Sequence, residues 1–395
     1  MMNTRVNVPA VMKNNQMKNP NICAADTISI LTFFCLQCKF SNIIKRRYFI
    51  LVIFFQLSCL LHAQDVIHTV FLIGDAGKDT LPGPVLQLLG HELSKNQNSS
   101  VVFLGDNIYP QGFDSDPLSE KKLHAQLSVL EGFTGNIFFV PGNHDWKAGK
   151  WQGKKCLKRE EVYVDDFVAK HSNSKGGFFP KNGLPGPYTT LLSKKLRLIC
   201  VDTHWWLQSQ FFHPVGKYKG KNRRRTSKIF FQQLDSIILD AKRNGEDVLI
   251  VAHHPLISGG VHSLQLNAIR LLINYTPLQI LGLSGGNRLL TQGMGQPRYK
   301  RLIKKMQACI SNYDHVIYAS GHEHNIQTYK REKHIYVVSG SGSKLSKMEK
   351  KREGLLYSND TQKGFIKLEY LQNKSVRISV LYPDTPEKVI AEEVQ

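Results

Sequence analysis

From residue 66 onward the chain alternates between two hydrophobic patterns. Short, nearly unbroken apolar runs occupy 70–73, 101–104, 137–140, 248–251 and 315–319, each rich in β-branched or aromatic residues and stopped within a few positions by Gly or Pro. A run that is apolar on both faces predicts a buried strand, as in parallel sheets. The ends of these strands are therefore expected to converge on one edge of a sheet. Between the runs, apolar residues recur at helical spacing and predict helices over 85–95, 121–130, 159–170, 229–243 and 299–310. Further strands are predicted over 197–202, 334–338, 365–370 and 376–381, the last two joined by a turn at Gln372-Asn373-Lys374. Strands alternating with helices make an α/β protein of two packed sheets flanked by helices. The stretch 267–297, Gly-rich near its end, follows neither pattern and is expected to overhang the strand ends as a loop.

Composition adds a leader to one large domain. Of the 395 residues 42% are apolar, ample for a buried core; the domain is expected over 66–381, with 382–395 as a C-terminal tail. Upstream, Lys45-Arg46-Arg47 precedes an apolar stretch, 48–61, too short to span a bilayer comfortably, followed by His62-Ala63-Gln64. This is the layout of a secretory signal peptide over 45–64 within a leader of 1–64, so export to a periplasm or the exterior is expected. An uncleaved membrane anchor is the alternative. Four of the seven cysteines lie in the leader, where Cys35-x-x-Cys38 lacks the second pair that a zinc site needs. Cys156, Cys200 and Cys309 are too few for a disulfide framework.

The formal charge is +21, and the leader, with seven basic residues and one acid, supplies only a minority of it. Clusters at 154–159, 217–228 and 344–352 hold much of the remainder. They read either as a field that attracts anions or as ordinary solvated surface. No RNA- or DNA-binding motif accompanies them, so no specific nucleic-acid partner is expected.

The strand ends carry the chemistry. Asp75, Asp106, Tyr109, Asn143, His253, His322 and His324 each follow one of the five apolar runs. Taken singly, Asp75 and Asp106 read equally well as helix caps, and Tyr109 as a core aromatic. Together, the carboxylate, phenol, amide and imidazole donors are enough to hold two metal ions side by side.

In their order and spacing these motifs resemble the calcineurin-like metallophosphoesterases, and within them the purple acid phosphatases of the small, mammalian (tartrate-resistant) type. The family carries D-x-G, G-D-x-x-Y, G-N-H-[DE], a V-x-x-H-like segment and G-H-x-H. This chain has Asp75-Ala76-Gly77, Gly105-Asp106-Asn107-Ile108-Tyr109, Gly142-Asn143-His144-Asp145, Ile250-Val251-Ala252-His253 and Gly321-His322-Glu323-His324. Two departures are Ile250, where Val is usual, and Ile108, where that branch has an aromatic. The resemblance covers residues 66–380.

It implies a four-layer αββα sandwich, with two mixed β-sheets flanked by helices. It also implies a pair of metal ions bridged by Asp106. One metal would take Asp75, Asp106, Tyr109 and His324; the other, Asp106, Asn143, His253 and His322. Hard anionic donors suit Fe(III) at the Tyr109 site, and imidazole with an amide oxygen suits Fe(II), Zn or Mn at the second. Relatives that cleave diesters or phosphoproteins usually have D-x-H at the first motif; Gly77 stands in that slot here, and Tyr109 offers a phenolate instead. Of His253 and His254, the position two before Pro255 matches the family's ligand. By the same resemblance His144 contacts phosphate and His262, nine positions after His253, donates a proton to the leaving group. Asp145 is expected to orient its neighbours, and Trp146 to wall the pocket.

The implied reaction is hydrolysis of a small-molecule phosphomonoester by in-line attack of a metal-bound hydroxide. A phosphodiesterase or nucleotidase on the same scaffold is the nearest alternative, and a non-catalytic surface-binding module the more distant one. A membrane partner is expected only if the leader is retained.

Overall fold

All five motif runs are strands, and both of their faces are covered. A computed structural model describes residues 66–394 apart from 151, 172–173, 209–217, 264–292 and 349–350. The leader 1–64, with its signal peptide and Cys35-x-x-Cys38, and most of the stretch 267–297 lie outside the described residues. No helix among the described residues is long and apolar enough to cross a membrane.

The first half of the chain runs β1 (Val66–Ile73), α1 (Pro84–Lys95), β2 (Ser99–Phe103), α2 (Pro117–Ser128), β3 (Asn136–Phe139), α3 (Gly153–Lys170) and β4 (Gly176–Phe178). Next come β5 (Tyr188–Ser193), β6 (Leu196–Cys200), a short α4 (His204–Leu207), α5 (Arg223–Arg243), β7 (Asp247–Val251), α6 (Pro297–Ile310) and β8 (Val316–Ser320). Strands close the chain: β9 (Ile326–Arg331), β10 (His334–Ser339), β11 (Leu355–Asn359), β12 (Phe365–Leu371), β13 (Ser375–Tyr382) and β14 (Thr385–Val394).

These form two mixed seven-stranded sheets, ordered β14-β13-β12-β1-β2-β3-β4 and β11-β9-β10-β8-β7-β6-β5. In the first, β1 to β4 are parallel and β12 to β14 antiparallel; in the second, β6, β7, β8 and β10 are parallel. Alternate residues of the central strands explain the layers. Val70, Leu72, Val102 and Leu104 meet Leu249, Val251, Ile317 and Ala319 between the sheets. Their neighbours Phe71, Phe103, Ile250 and Tyr318 pack instead in the cluster that holds Leu89 of α1, Leu123 of α2, Leu234 of α5 and Met306 of α6. Each fully buried Val, Leu, Ile, Phe or Met among them is worth ~1.5–3 kcal/mol. A strand covered on both faces has no polar face to show, which is why its sequence is an unbroken apolar run.

Two findings differ from expectation. The five motif strands do not share one sheet edge: β1, β2 and β3 belong to the first sheet and β7 and β8 to the second. The stretch 382–395 is not a loose tail but carries β14, which pairs antiparallel with β13 along its outer edge. Its Glu387 and Glu392 pair with Lys367 and Arg377 at 2.8 and 3.3 Å, and such charges guard an exposed sheet edge while hiding it as a strand. Cys156, Cys200 and Cys309 are buried free thiols.

Candidate metal centre

The carboxyl ends of the two sheets are joined directly. Gly74 N–H donates to Ser339 O at 2.7 Å, and Ser339 Oγ donates to Leu72 O at 2.6 Å, tying the end of β1 to the end of β10. Just beyond these ends the chain turns sharply, and three candidate residues take left-handed backbone: Asp75 (φ 59°), Asp106 (φ 55°) and His322 (φ 70°). Non-glycine residues hold this conformation at a cost, and such strain gathers at functional sites.

The turns bring all seven candidate ligands into two adjoining clusters. In the first, the Tyr109 hydroxyl donates to Asp75 Oδ1 at 2.7 Å and lies 3.1 Å from His324 Nε2, which is itself 3.5 Å from Asp75 Oδ1. In the second, Asn143 Oδ1 is 3.1 Å from His253 Nε2 and 3.0 Å from His322 Nδ1, and the two ring nitrogens are 3.3 Å apart. Asp106 lies between, with Oδ1 3.4 Å from His253 Nε2. Ligand atoms of Asp75, Asp106 and His253 all lie within 4.8 Å of one another. Each cluster draws residues from both sheets, so the centre sits where the two sheet edges meet.

Further contacts fix these side chains. His253 Nδ1 lies 2.8 Å from Leu104 O, so Nδ1–H donates there and Nε2 faces the cluster. The Asp145 carboxylate accepts the backbone N–H groups of Asp106, Asn107, Ile108 and Gly142 at 2.7–3.1 Å, locking the second motif to the third as expected of it. Behind it, Asn107 Nδ2 donates to the buried Glu160 at 2.9 Å. Trp146 is buried, with Nε1–H donating to Asp202 Oδ2 at 2.7 Å.

Gly77 is a steric requirement. A Cβ there would stand 2.0 Å from Asn107 O and 2.1 Å from its carbonyl carbon. A histidine in this slot needs the Asp106–Tyr109 turn to move, and that turn is held to Gly77 by Tyr109 N–H donating to Gly77 O at 2.9 Å. The phenol therefore takes up the space beside Asp75.

The electrostatics show negative groups packed tightly. Burial, together with Asp106 and against His253, pushes Asp75 up to about 7. Burial and the two carboxylates push the Tyr109 phenol well above its ordinary range. Burial also raises Asp106, but His253 and His144 outweigh it and hold Asp106 well below the usual carboxylate range. Burial opposes His253, which Asp106 nonetheless raises to about 9. Burial keeps His322 well below its ordinary value and, with Lys344, brings His324 to about 3. The protein alone pairs these groups only by keeping protons on Asp75 and Tyr109. A cation would take their place, and the donor set fits one in each cluster.

His144 and His262 both reach this centre. His144 N–H donates to Asp106 Oδ1 at 2.8 Å, its Nδ1 lies 2.5 Å from Pro110 O, and its Nε2 lies 3.8 Å from Asp106 Oδ2. The His262 ring packs tilted against that of His322, with centroids 4.3 Å apart. His254 is separate from the donor atoms: its Nδ1 meets Thr203 Oγ1 at 2.9 Å, and its ring lies between His204 and His322, with centroids 5.8 and 4.4 Å away.

Sequence reasoning missed four neighbours. Glu323 holds His262, and Thr203 holds His254. His204 is buried, with burial lowering it to about 3. Lys344 Nζ lies 3.6 Å from the centroid of the Tyr109 ring. Only Glu323 had a visible signal, as an acid between two candidate ligands.

A four-layer α/β sandwich with such donors at its joined sheet edges is a metallophosphoesterase fold. The chain belongs to the calcineurin-like phosphoesterase family, whose sequence profile matches residues 68–325, a span that holds every candidate residue. Among solved structures it is similar to GAP50, the anchor in the inner membrane complex of Plasmodium, with a TM-score of 0.52 and 19% identity over 84% of this chain and 89% of that one. It is also similar to a dimetal phosphatase from Danio rerio, with a TM-score of 0.49 and 12% identity over 83% and 99% of the two chains. At these identities the likeness is one of fold. No curated protein matches the sequence.

Proposed function

We propose that the chain is a dinuclear metal-dependent phosphomonoesterase of the purple acid phosphatase type. The observation that carries this reading is the Tyr109 hydroxyl, between Asp75 Oδ1 and His324 Nε2, beside a Gly77 that has no room for a side chain. Asp75, Asp106, Tyr109 and His324 would hold Fe(III); Asp106, Asn143, His253 and His322 would hold Fe(II), Zn or Mn. The chemistry a bound pair supplies is charge for the phosphoryl oxygens and activation of water.

The protein's own residues supply the rest. His144, with Nδ1–H donating to Pro110 O, turns Nε2 toward the centre to hold a phosphoryl oxygen. His262, held through Nδ1 by Glu323, keeps Nε2 for the leaving-group oxygen and gives it a proton as the ester bond breaks. Export through the signal peptide 45–64 belongs to the same reading.

Turnover of nitrophenyl phosphate against bis(nitrophenyl) phosphate by metal-loaded protein tests it. Preference for the monoester is expected. Preference for the diester would favour the phosphodiesterase reading. No turnover of either, with two metals bound, would favour a binding module, the kind of role that the word anchor describes for the Plasmodium protein.

A further inference from the structure

The basic cluster at 217–228 is not simply a solvated face, because the fold sets its arginines against those of a second helix. Lys305 Nζ of α6 donates to Ser227 Oγ of α5 at 2.6 Å, and farther along Tyr313 OH donates to Asp235 Oδ1 at 2.8 Å. The two helices therefore run parallel, with their amino-terminal turns side by side. Between these turns and the end of α4 lies a cavity of about 510 Å3, whose lining includes Trp206, Arg223, Arg224, Arg298, Arg301 and Lys305.

Five cations line one space, and no carboxylate is among the described residues that line it. The sequence has no Asp or Glu between Asp202 and Asp235, and none between Asp247 and Asp314. Two of the guanidiniums are fixed by backbone. Arg223 donates to Trp206 O and Gln208 O at 3.1 and 2.7 Å, and Arg298 donates to the same Gln208 O at 2.7 Å. Burial, and then the nearness of Arg298 and Arg301, lower the pKa of Arg223, so the cations repel one another. Trp206, largely buried, forms part of the wall of this space.

We propose that this cavity binds a small molecule carrying two or more phosphate groups. The volume is that of a small-molecule site, roughly 300–1,000 Å3. Planar guanidiniums are suited to bidentate contacts with phosphate oxygens, and two helix amino-termini add to the positive field. One phosphate cannot meet five cations spread around such a space, whereas an oligophosphate can. Trp206 and Phe231, with ring centroids 5.9 Å apart, give the ligand an apolar wall. None of the candidate metal donors, nor His144 or His262, is among the described residues that line the cavity. The inference does not depend on turnover at the metal centre.

The test is titration of inorganic tripolyphosphate, and separately of orthophosphate, into the full chain freed of metal by chelation, followed by calorimetry and tryptophan fluorescence. Tripolyphosphate is expected to bind one per chain, far more tightly than orthophosphate, and more weakly as salt rises. Arg298→Ala with Arg301→Ala should weaken it by about tenfold or more, while Arg298→Lys with Arg301→Lys keeps the charge and much of the affinity. Arg301→Glu, at an exposed position, decides the matter if the double alanine variant fails to fold. His322→Ala should bind tripolyphosphate as the parent does. Equal affinity for the two anions, full binding by folded Arg301→Glu, or loss of binding in His322→Ala would each overturn the proposal.

Discussion

Glu323 takes both the backbone N–H and the ring Nδ1 of His262 on one carboxylate, at 3.0 and 3.2 Å. Gly260 makes room for it, since a Cβ there would stand 2.3 Å from Glu323 Oε2. Glu323 is thus a positioning residue that acts through His262. His262→Ala is expected to lower turnover of alkyl phosphates by ~10²–10⁴-fold and that of nitrophenyl phosphate far less, because a good leaving group departs unaided. Glu323→Gln should show the same dependence on leaving group with a loss of ~10–100-fold. Rates across a leaving-group series check both. Equal losses for every ester would make the pair structural.

Tyr109 is the most exposed part of the functional reading. If the phenolate binds Fe(III), aerobically purified protein should show a broad visible charge-transfer absorption. Tyr109→Phe keeps the ring, which packs at 4.4 Å from that of His144, and removes only the oxygen. The variant should be colourless with an unchanged circular dichroism spectrum. A parent protein that stays colourless and fully active after ferric reconstitution would rule out the purple subtype while leaving the family unaffected.

Asp106 lies between the donor clusters, whereas Asn143 belongs to one. Asp106→Ala is expected to reduce occupancy of both metals, and Asn143→Ala mainly that of the divalent ion. Metal content per chain is the measurement. Two metals retained in Asp106→Ala would show that it is not the bridge.

How much of this was legible follows from what each residue faces. The five apolar runs were plain because both faces of each strand are buried, and the residues after them stood out as polar groups at strand ends. Helix bodies were legible, but the starts of α2, α3 and α5 lie four to six residues ahead of the first apolar repeat. The first turn of α5 is Arg223-Arg224-Arg225, which has no apolar rhythm, and its start is set by Asn222, whose side chain accepts Arg225 N–H. In α2, Asp116 accepts Leu118 N–H and places the start ahead of the first apolar repeat. Neither β9 nor β14 reads as a strand, because Gln327 and Thr328 are buried polar residues and β14 is charged. Long-range pairs such as Trp146 with Asp202, or Arg224 with Arg301 around one cavity, have no local signal, since only the packing of distant elements brings them together.

His68 offers a pH test away from the metal donors. Burial lowers it to about 4, and the neutral ring meets Ser100 Oγ at 2.9 Å. In the unfolded chain it titrates near 6.5. Between those values the unfolded chain binds a proton that the folded chain refuses, so His68 stabilises the fold above about 6.5 and that contribution is lost as pH falls toward 4. The full effect is roughly 3 kcal/mol. Denaturant unfolding of the parent and of His68→Gln at pH 7 and pH 5 should show a steeper acid loss in the parent. Parallel curves would mean that the ring is already protonated or accessible.

Gly77 ties the choice of ligand to the backbone, and the tie can be cut by one methyl group. A Cβ at 77 meets Asn107 O at 2.0 Å and Ile108 N at 2.4 Å, and neither is the movable end of a side chain. Gly77→Ala must therefore push the Asp106–Tyr109 turn away, against the bonds that the Asp145 carboxylate makes to Asp106, Asn107 and Ile108. Overpacking of this kind costs ~1–3 kcal/mol. The displaced turn carries both Asp106 and Tyr109, so the stability loss should come with loss of metal. The Tyr109 site, which relies on the phenol, should empty first. Thermal melts of chelated and metal-loaded Gly77→Ala, read beside metal content, separate the two effects. A variant that melts like the parent and keeps both metals would show that the turn yields freely, and that Gly77 does not determine which donor completes the site.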